Sequence, residues 1–365
     1  MQPMVTDQTR RRLLKAALFS LSAPTSFAVS ASKKHSSEQA SAGLIGCSIQ
    51  GRDRFSVVVA DRLGMPLRHV VLPERGHGVA INSVLGHAVA FARRPGRFML
   101  VFNYHTGKTI RLSPASHGRH YYGHGAYSND GNWLYATEGE VGTSRGIIGV
   151  YDVSKGYQKV TEFSGFGLGP HEVIVMPDNT LAIGVGGVHT DGRKPLNIDA
   201  MKPSLSYLND SGELVDQVTL ADKKLSIRHL AHDGGNTVLC GQQYRGEPDD
   251  YPSLLAMHTK GSTLKLLQAE PEQWARFKHY IASIAASDEW ILATSPRGNC
   301  YGIWSKSNGR LVELNVLPDA SGVVYNRDEF RLSSGSGTVT KVQDLSIKQS
   351  INTNVQWDNH WSAVI

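Results

Sequence analysis

The sequence predicts an all-β fold, a seven-bladed β-propeller whose last blade is closed by strands from both ends of the chain. Three observations predict it. Six histidines, His77, His124, His171, His229, His279 and His360, recur at the same point of a repeating pattern. Their first four steps are 47, 47, 58 and 50 residues, and the last gap of 81 holds Arg327 where a further member would fall. A period of this size in a β-rich chain means a propeller or a solenoid. Second, short Val-, Ile- and Tyr-rich runs such as Phe55–Ala60, Phe98–Asn103 and Gly146–Asp152 alternate with Gly, Asp, Asn and Ser turns, which reads as strands. Third, the segment from Gly43 to about Leu72 offers three strands without a histidine start, while His360 begins a start with one strand left. Together they make one four-stranded blade with the C-terminal strand innermost, and that closure removes an open sheet edge.

Taken in order, residues 1–31 read as a twin-arginine-type export signal: Arg10-Arg11-Arg12-Leu13-Leu14-Lys15, then an apolar stretch from Ala16 to Val29. That stretch is too short and serine-rich to span a membrane, and no later run has 18 unbroken apolar residues. Residues 32–42 read as a flexible leader, and residues 43–365 as the propeller. The second unit shows the repeat best. Gly123–Ser128 is an inner strand, Asn129-Asp130-Gly131-Asn132 a turn that tolerates positive φ, and Trp133–Glu138, Gly146–Asp152 and Gln158–Phe163 the remaining strands. The 58-residue step comes from an insertion, Gly186–Met201, rich in Gly, His, Asp and Arg. A long loop of that kind is a candidate lid or binding loop. Helical periodicity is weak, and the best candidate is short, near Pro271–Lys278.

The formal charge is +6, about +3 once the signal is removed, and no Lys/Arg block lies beyond it, so nucleic-acid binding is not expected. A monomer is expected. Cys47, Cys240 and Cys300 form no Cys-x-x-Cys, which argues against covalent haem and cysteine-rich zinc sites, and each reads as a small buried strand residue.

In a propeller, equivalent positions converge on the central channel. Neutral imidazoles there suit Fe, Cu, Zn and Ni, so His77, His124, His171, His229, His279 and His360 are candidate metal ligands. Arg75, Arg119, Arg228 and Arg297 lie beside histidines or in glycine-rich turns, and their planar forks suit carboxylates and phosphates. With Glu172, a second partner or general base beside His171, and His189 on the insertion, they are the candidate ligand-binding residues. Arg93-Arg94 reads as blade-to-blade ion pairing. Three readings stay open at this point: a metal-linked binding or accessory protein, a propeller enzyme (a lactonase-type hydrolase or a non-haem iron oxygenase), and a docking scaffold whose histidines only hold the blades. No Gly-x-Ser-x-Gly or His-Glu-x-x-His is present, so the hydrolase reading rests on architecture alone.

The segments Leu72–Gly78, Phe91–Gly96, Gly118–Gly125, Gly167–Glu172, Gly187–Met201, Leu225–Leu230 and Thr294–Gly298 resemble the bacterial exported family called domain of unknown function 1513. They span nearly all of the chain after the leader. The resemblance implies a propeller and a periplasmic location. It also points to periplasmic iron-uptake components as partners and puts iron ahead of copper as the metal. It supplies no catalytic residue to carry over.

Overall fold

The computed structural model describes residues 41–343, Leu345 and residues 347–365. The expected export signal, residues 1–31, and most of the expected leader lie outside the described residues. Seven four-stranded antiparallel sheets form the ring. Their innermost strands are Gly76–Asn82, Arg119–Tyr127, Pro170–Val175, Leu225–His232, Ser283–Ala286, Ala320–Asn326 and Trp357–Ala363, which begin blades 1 to 7. Blade 7 is completed from the other end of the chain by Leu44–Gln50, Arg54–Ala60 and Pro66–Leu72. Leu44 pairs with Ala363 and Ser48 with Trp357, so the expected closure is present.

Each blade places an alternating face against the next. Val57, Val59, Ala90, Leu100 and Phe102 fill one such layer between blades 7 and 1. Apolar area removed from water contributes roughly 25 cal/mol per Å², so these layers, repeated around the ring, are the main stabilising term. The described strands are longer at their ends than the sequence reading placed them: the inner strand of blade 2 is Arg119–Tyr127 and its outer strand runs Gln158–Leu168. The short helix falls where expected, at Pro271–Ala275. The insertion carries a small hairpin, Thr190–Asp191 with Lys194–Pro195, and a 3-10 turn, Ile198–Ala200. All three cysteines are buried and unpaired.

Two repeat positions are corrected. Arg327 does not begin a blade: it and Asp328 form the tight turn after Ala320–Asn326, with φ of 53° and 62°. His279 precedes its innermost strand by four residues and turns away from the channel. Its φ is 57°, its ring stacks on Tyr251 at 5.6 Å, and its Nε2 lies 2.7 Å from the Asp250 carbonyl. The chain needs a left-handed residue there to leave the helix, so this histidine belongs to the helix exit rather than to the repeat.

Candidate metal centre

Five of the six histidines converge. His77, His124, His171, His229 and His360 come from the consecutive blades 1, 2, 3, 4 and 7, and all are buried. The local cause is shared. The innermost strand of each of blades 1 to 4 is irregular in register beside its histidine, between Gly76 and Val79, Tyr121 and Gly125, Pro170 and Glu172, and Ile227 and His229. In blade 7 the register slips between Trp357 and Trp361, which pair with Ser48 and Gly46, so the extra residues, His360 among them, lie on the innermost strand there too. A bulge re-aims a side chain that the regular pleat would send elsewhere. Glycine makes room for the rings. A Cβ on Gly78 would sit 2.7 Å from His124 Nδ1, and one on Gly123, whose φ is 106°, would sit 2.8 Å from His77 Cδ2.

The rings touch edge to face. Centroids are 4.5 Å apart for His77 and His360, 4.6 Å for His124 and His360, 4.6 Å for His171 and His229, and 4.7 Å for His77 and His124. Two groups bring three ligand atoms within 4.8 Å of one another: His77, His124 and His171, and His124, His229 and His360. His124 belongs to both.

Ring nitrogens in this cluster lack partners. His77 Nδ1, His124 Nε2, His171 Nδ1, both nitrogens of His229, and His360 Nε2 are buried without a hydrogen bond. A buried polar atom left unpaired costs about 1–3 kcal/mol. Burial, and then the neighbouring rings and Arg228 or Arg93, push the imidazoles down: His124 to about 4, His229 to about 3, and His77, His171 and His360 well below their ordinary value. At neutral pH the cluster is therefore a set of uncharged nitrogen donors, the state a metal ion requires.

Glu172 supplies the negative charge. Its Oε1 lies 3.5 Å from His124 Nδ1 and its Oε2 lies 3.4 Å from His229 Nδ1. Its Oε2 also accepts the Leu230 N–H at 2.9 Å, which fixes the carboxylate. Burial raises its pKa, and His124 acts against that rise. Blades 5 and 6 give no histidine. Their small and apolar residues Ser283, Ile284 and Val323 face His124, His229, His360 and Glu172 across a cavity of about 120 Å³. The histidine cluster is thus one-sided.

The other candidate residues separate into three places. Arg75 holds Asp358 through two bonds, 2.6 and 2.9 Å, at the channel. Arg228 is buried directly before His229, and Arg297 lies over the Tyr280 ring at 4.4 Å. Arg119 and His189 are not at the channel. They line a groove of about 520 Å³ under the insertion, where Arg119 is paired with Glu140 and Glu162, and His189 Nδ1 lies 3.1 Å from Ser144 Oγ. Sequence reasoning overlooked Arg245. Its signal was present: Arg94-Pro95-Gly96, Arg245-Gly246 and Arg297-Gly298 each follow the second strand of a blade.

A seven-bladed propeller enclosing a buried cluster of neutral histidines defines the class of protein. The chain belongs to the family described as "Protein of unknown function (DUF1513)", whose model matches residues 70–364. No curated protein matches the sequence. Among solved structures it is similar to Kuenenia stuttgartiensis hydrazine synthase (TM-score 0.58, 14% identity, 83% of this chain and 90% of that one). It is also similar to the RRP9 WD40 repeats (0.58, 12%, 84% and 84%) and to a chain of the mitotic checkpoint complex (0.59, 10%, 92% and 92%). At these identities the likeness is one of fold.

Proposed function

We propose that this propeller is an exported, periplasmic protein that binds a transition-metal ion in its channel, iron ahead of copper, as a binding or accessory protein of metal handling. One observation carries the reading: five buried, uncharged imidazoles with unpartnered ring nitrogens meet at one place, two overlapping trios of them within 4.8 Å. A purely structural ring would spend those nitrogens on backbone carbonyls, as His279 does with Asp250. Imidazole donors accommodate iron, copper, zinc and nickel alike. The family resemblance ranks iron first and supports iron-uptake components as partners. Glu172 would compensate part of the ion's charge and orient His124 and His229.

A second reading, chemistry on a small molecule at that ion, is favoured by the cavity of about 120 Å³ beside His124, His229, His360 and Glu172. The test is metal analysis of protein purified from cells grown with balanced iron, copper and zinc, followed by anaerobic Fe(II) and aerobic Cu(II) titration of the stripped protein. About one ion per chain is expected, with a metal-dependent rise in melting temperature. Metal-free native protein with no response to either ion overturns the proposal. Cell fractionation checks the periplasmic location.

A further inference from the structure

The innermost strands order the channel into layers. Arg75 and Arg228 come before the histidines of their strands, and Glu172 comes after one. In an antiparallel blade the start of the first strand and the end of the second lie on one face. Arg93, Arg94, Arg245 and Arg297 all follow second strands, so they reach the same face as Arg75 and Arg228. Arg193 on the insertion, which links the second and third strands of blade 3, joins them.

These side chains sit within one another's fields. Arg93 feels Arg75 and Arg193, Arg94 feels Arg245, Arg193 and Arg93, and Arg228 feels Arg94 and Arg245. Burial and this repulsion lower Arg93, Arg94, Arg228 and Arg245, yet a guanidinium does not give up its proton. Among the described residues, the carboxylates acting on the group are Asp358, already held by Arg75, and Asp319. Arg228 is 4% exposed; its Nε donates to Ser226 Oγ at 3.0 Å, and its Nη2 has no partner. Arg245 Nε is likewise buried and unpartnered. A buried charge without a counter-charge costs several kcal/mol.

We infer that this arginine-lined face is a binding site for a compact oxygen anion, a polycarboxylate or a phosphate, held by the free edges of Arg228 and Arg245 with Arg94 beside them. Guanidinium forks match both anion types. Because Arg228 adjoins His229 in the chain, a bound anion lies next to the histidine layer. The protein would then take its metal together with an anionic chelator, a point that rests on the metal proposal. The anion site itself does not.

The test is calorimetric titration of metal-stripped protein with citrate, and separately with inorganic phosphate, at low ionic strength. Saturable binding of at least one is expected, with citrate over phosphate identifying a polycarboxylate and the reverse a phosphate. Arg228→Lys, which keeps the charge and loses the fork, should weaken binding at least 10-fold. Arg94→Gln should do so independently if Arg228→Lys does not fold, and exposed Arg62→Gln, just after the third strand of blade 7 and so on the opposite face, should change nothing. Absence of saturable binding by both anions overturns the inference, as does binding that Arg228→Lys and Arg94→Gln leave intact. His124→Ala separates the two proposals: it should lose metal while keeping the anion.

Discussion

Replacing His124 by alanine tests the proposed metal centre most sharply, because His124 is the one residue shared by both groups of three ligand atoms. Its loss leaves no group of three among the described residues, whereas His77→Ala leaves His124, His229 and His360 intact. A metal ion at a thousand times its dissociation constant stabilises the folded chain by about 4.1 kcal/mol. At about 2.1 cal/mol/K per residue, a propeller of this length melts with an entropy near 0.7 kcal/mol/K, so the ion raises the melting temperature by about 6 °C. Changes to groups that merely orient a ligand weaken metal binding by about 10–100-fold, and removing a ligand shared by both trios should do no less than the upper figure. At the same metal concentration, His124→Ala then keeps about 1.4 kcal/mol of the effect, or about 2 °C. Differential scanning fluorimetry, with each variant compared with its own metal-free baseline, reads these increments directly. His77→Ala should retain more of the 6 °C than His124→Ala. An increment in His124→Ala equal to that of the native protein would refute the assignment of His124 as the shared ligand.

Metal-free protein should lose stability on mild acidification. The histidine pKa values are depressed in the fold, to about 4 for His124 and about 3 for His229, so between those values and 6.5 the unfolded chain binds more protons. Stability from these groups is complete above pH 6.5 and falls by about 1.4 kcal/mol per histidine per pH unit below it. Glu172, raised by burial, acts in the opposite sense: its contribution is present at low pH and lost as pH rises past 4.5, and it is one group against five. Urea midpoints at pH 7.5 and 5.5 check this, and equal midpoints would contradict it. Gly78→Ala should push the His124 ring from its place, because the new methyl group would stand 2.7 Å from Nδ1. Weakened metal binding with a folded circular-dichroism spectrum and a loss of about 1–3 kcal/mol in urea is the expected result. Removing Trp357–Ile365 takes away two buried tryptophans, His360 and the partner of Leu44–Gln50. The exposed edge should aggregate, seen by size-exclusion chromatography, and a soluble monomer with native spectra would count against closure as the stabilising device.

Much of the architecture could be read from the chain because one residue type marks the same turn of the same strand. His77, His124, His171 and His229 each sit at a backbone irregularity, often with glycine beside them, and the restart of that pattern counts blades. Where the marker fails, its physical basis fails as well. At blade 5, His279 is taken up by the exit from Pro271–Ala275, and the register with Trp290–Ser295 begins only at Ser283. At blade 6, Ser321 and Gly322 stand before Val323, and Gly322 has no room for a side chain: a Cβ would meet the Trp361 backbone nitrogen at 2.7 Å. A small residue leaves no trace in a pattern defined by rings, so only spacing points to Arg327. Glu172 was found by its neighbour in sequence, but its bridging of His124 and His229 depends on blades 2 and 4 closing around blade 3, which spacing does not encode. Arg93 and Arg94 read as blade-to-blade ion pairing, because the crowding of Arg228 and Arg245 from another blade beside them shows only in the folded ring, where among the described residues neither forms an ion pair.

The strand that locks the ring also carries His360. Its ring stands 4.5 Å from that of His77, whose residue is 283 positions earlier, only after Trp357–Ala363 has zipped against Leu44–Gln50. One of the two trios therefore cannot form in an open ring, while the other, within blades 1 to 3, can. An ion captured early would rest on His77, His124 and His171 and gain the choice of His229 and His360 only at the last pairing step. Occupancy of the second trio would then serve as a chemical receipt that the two ends of the chain have met.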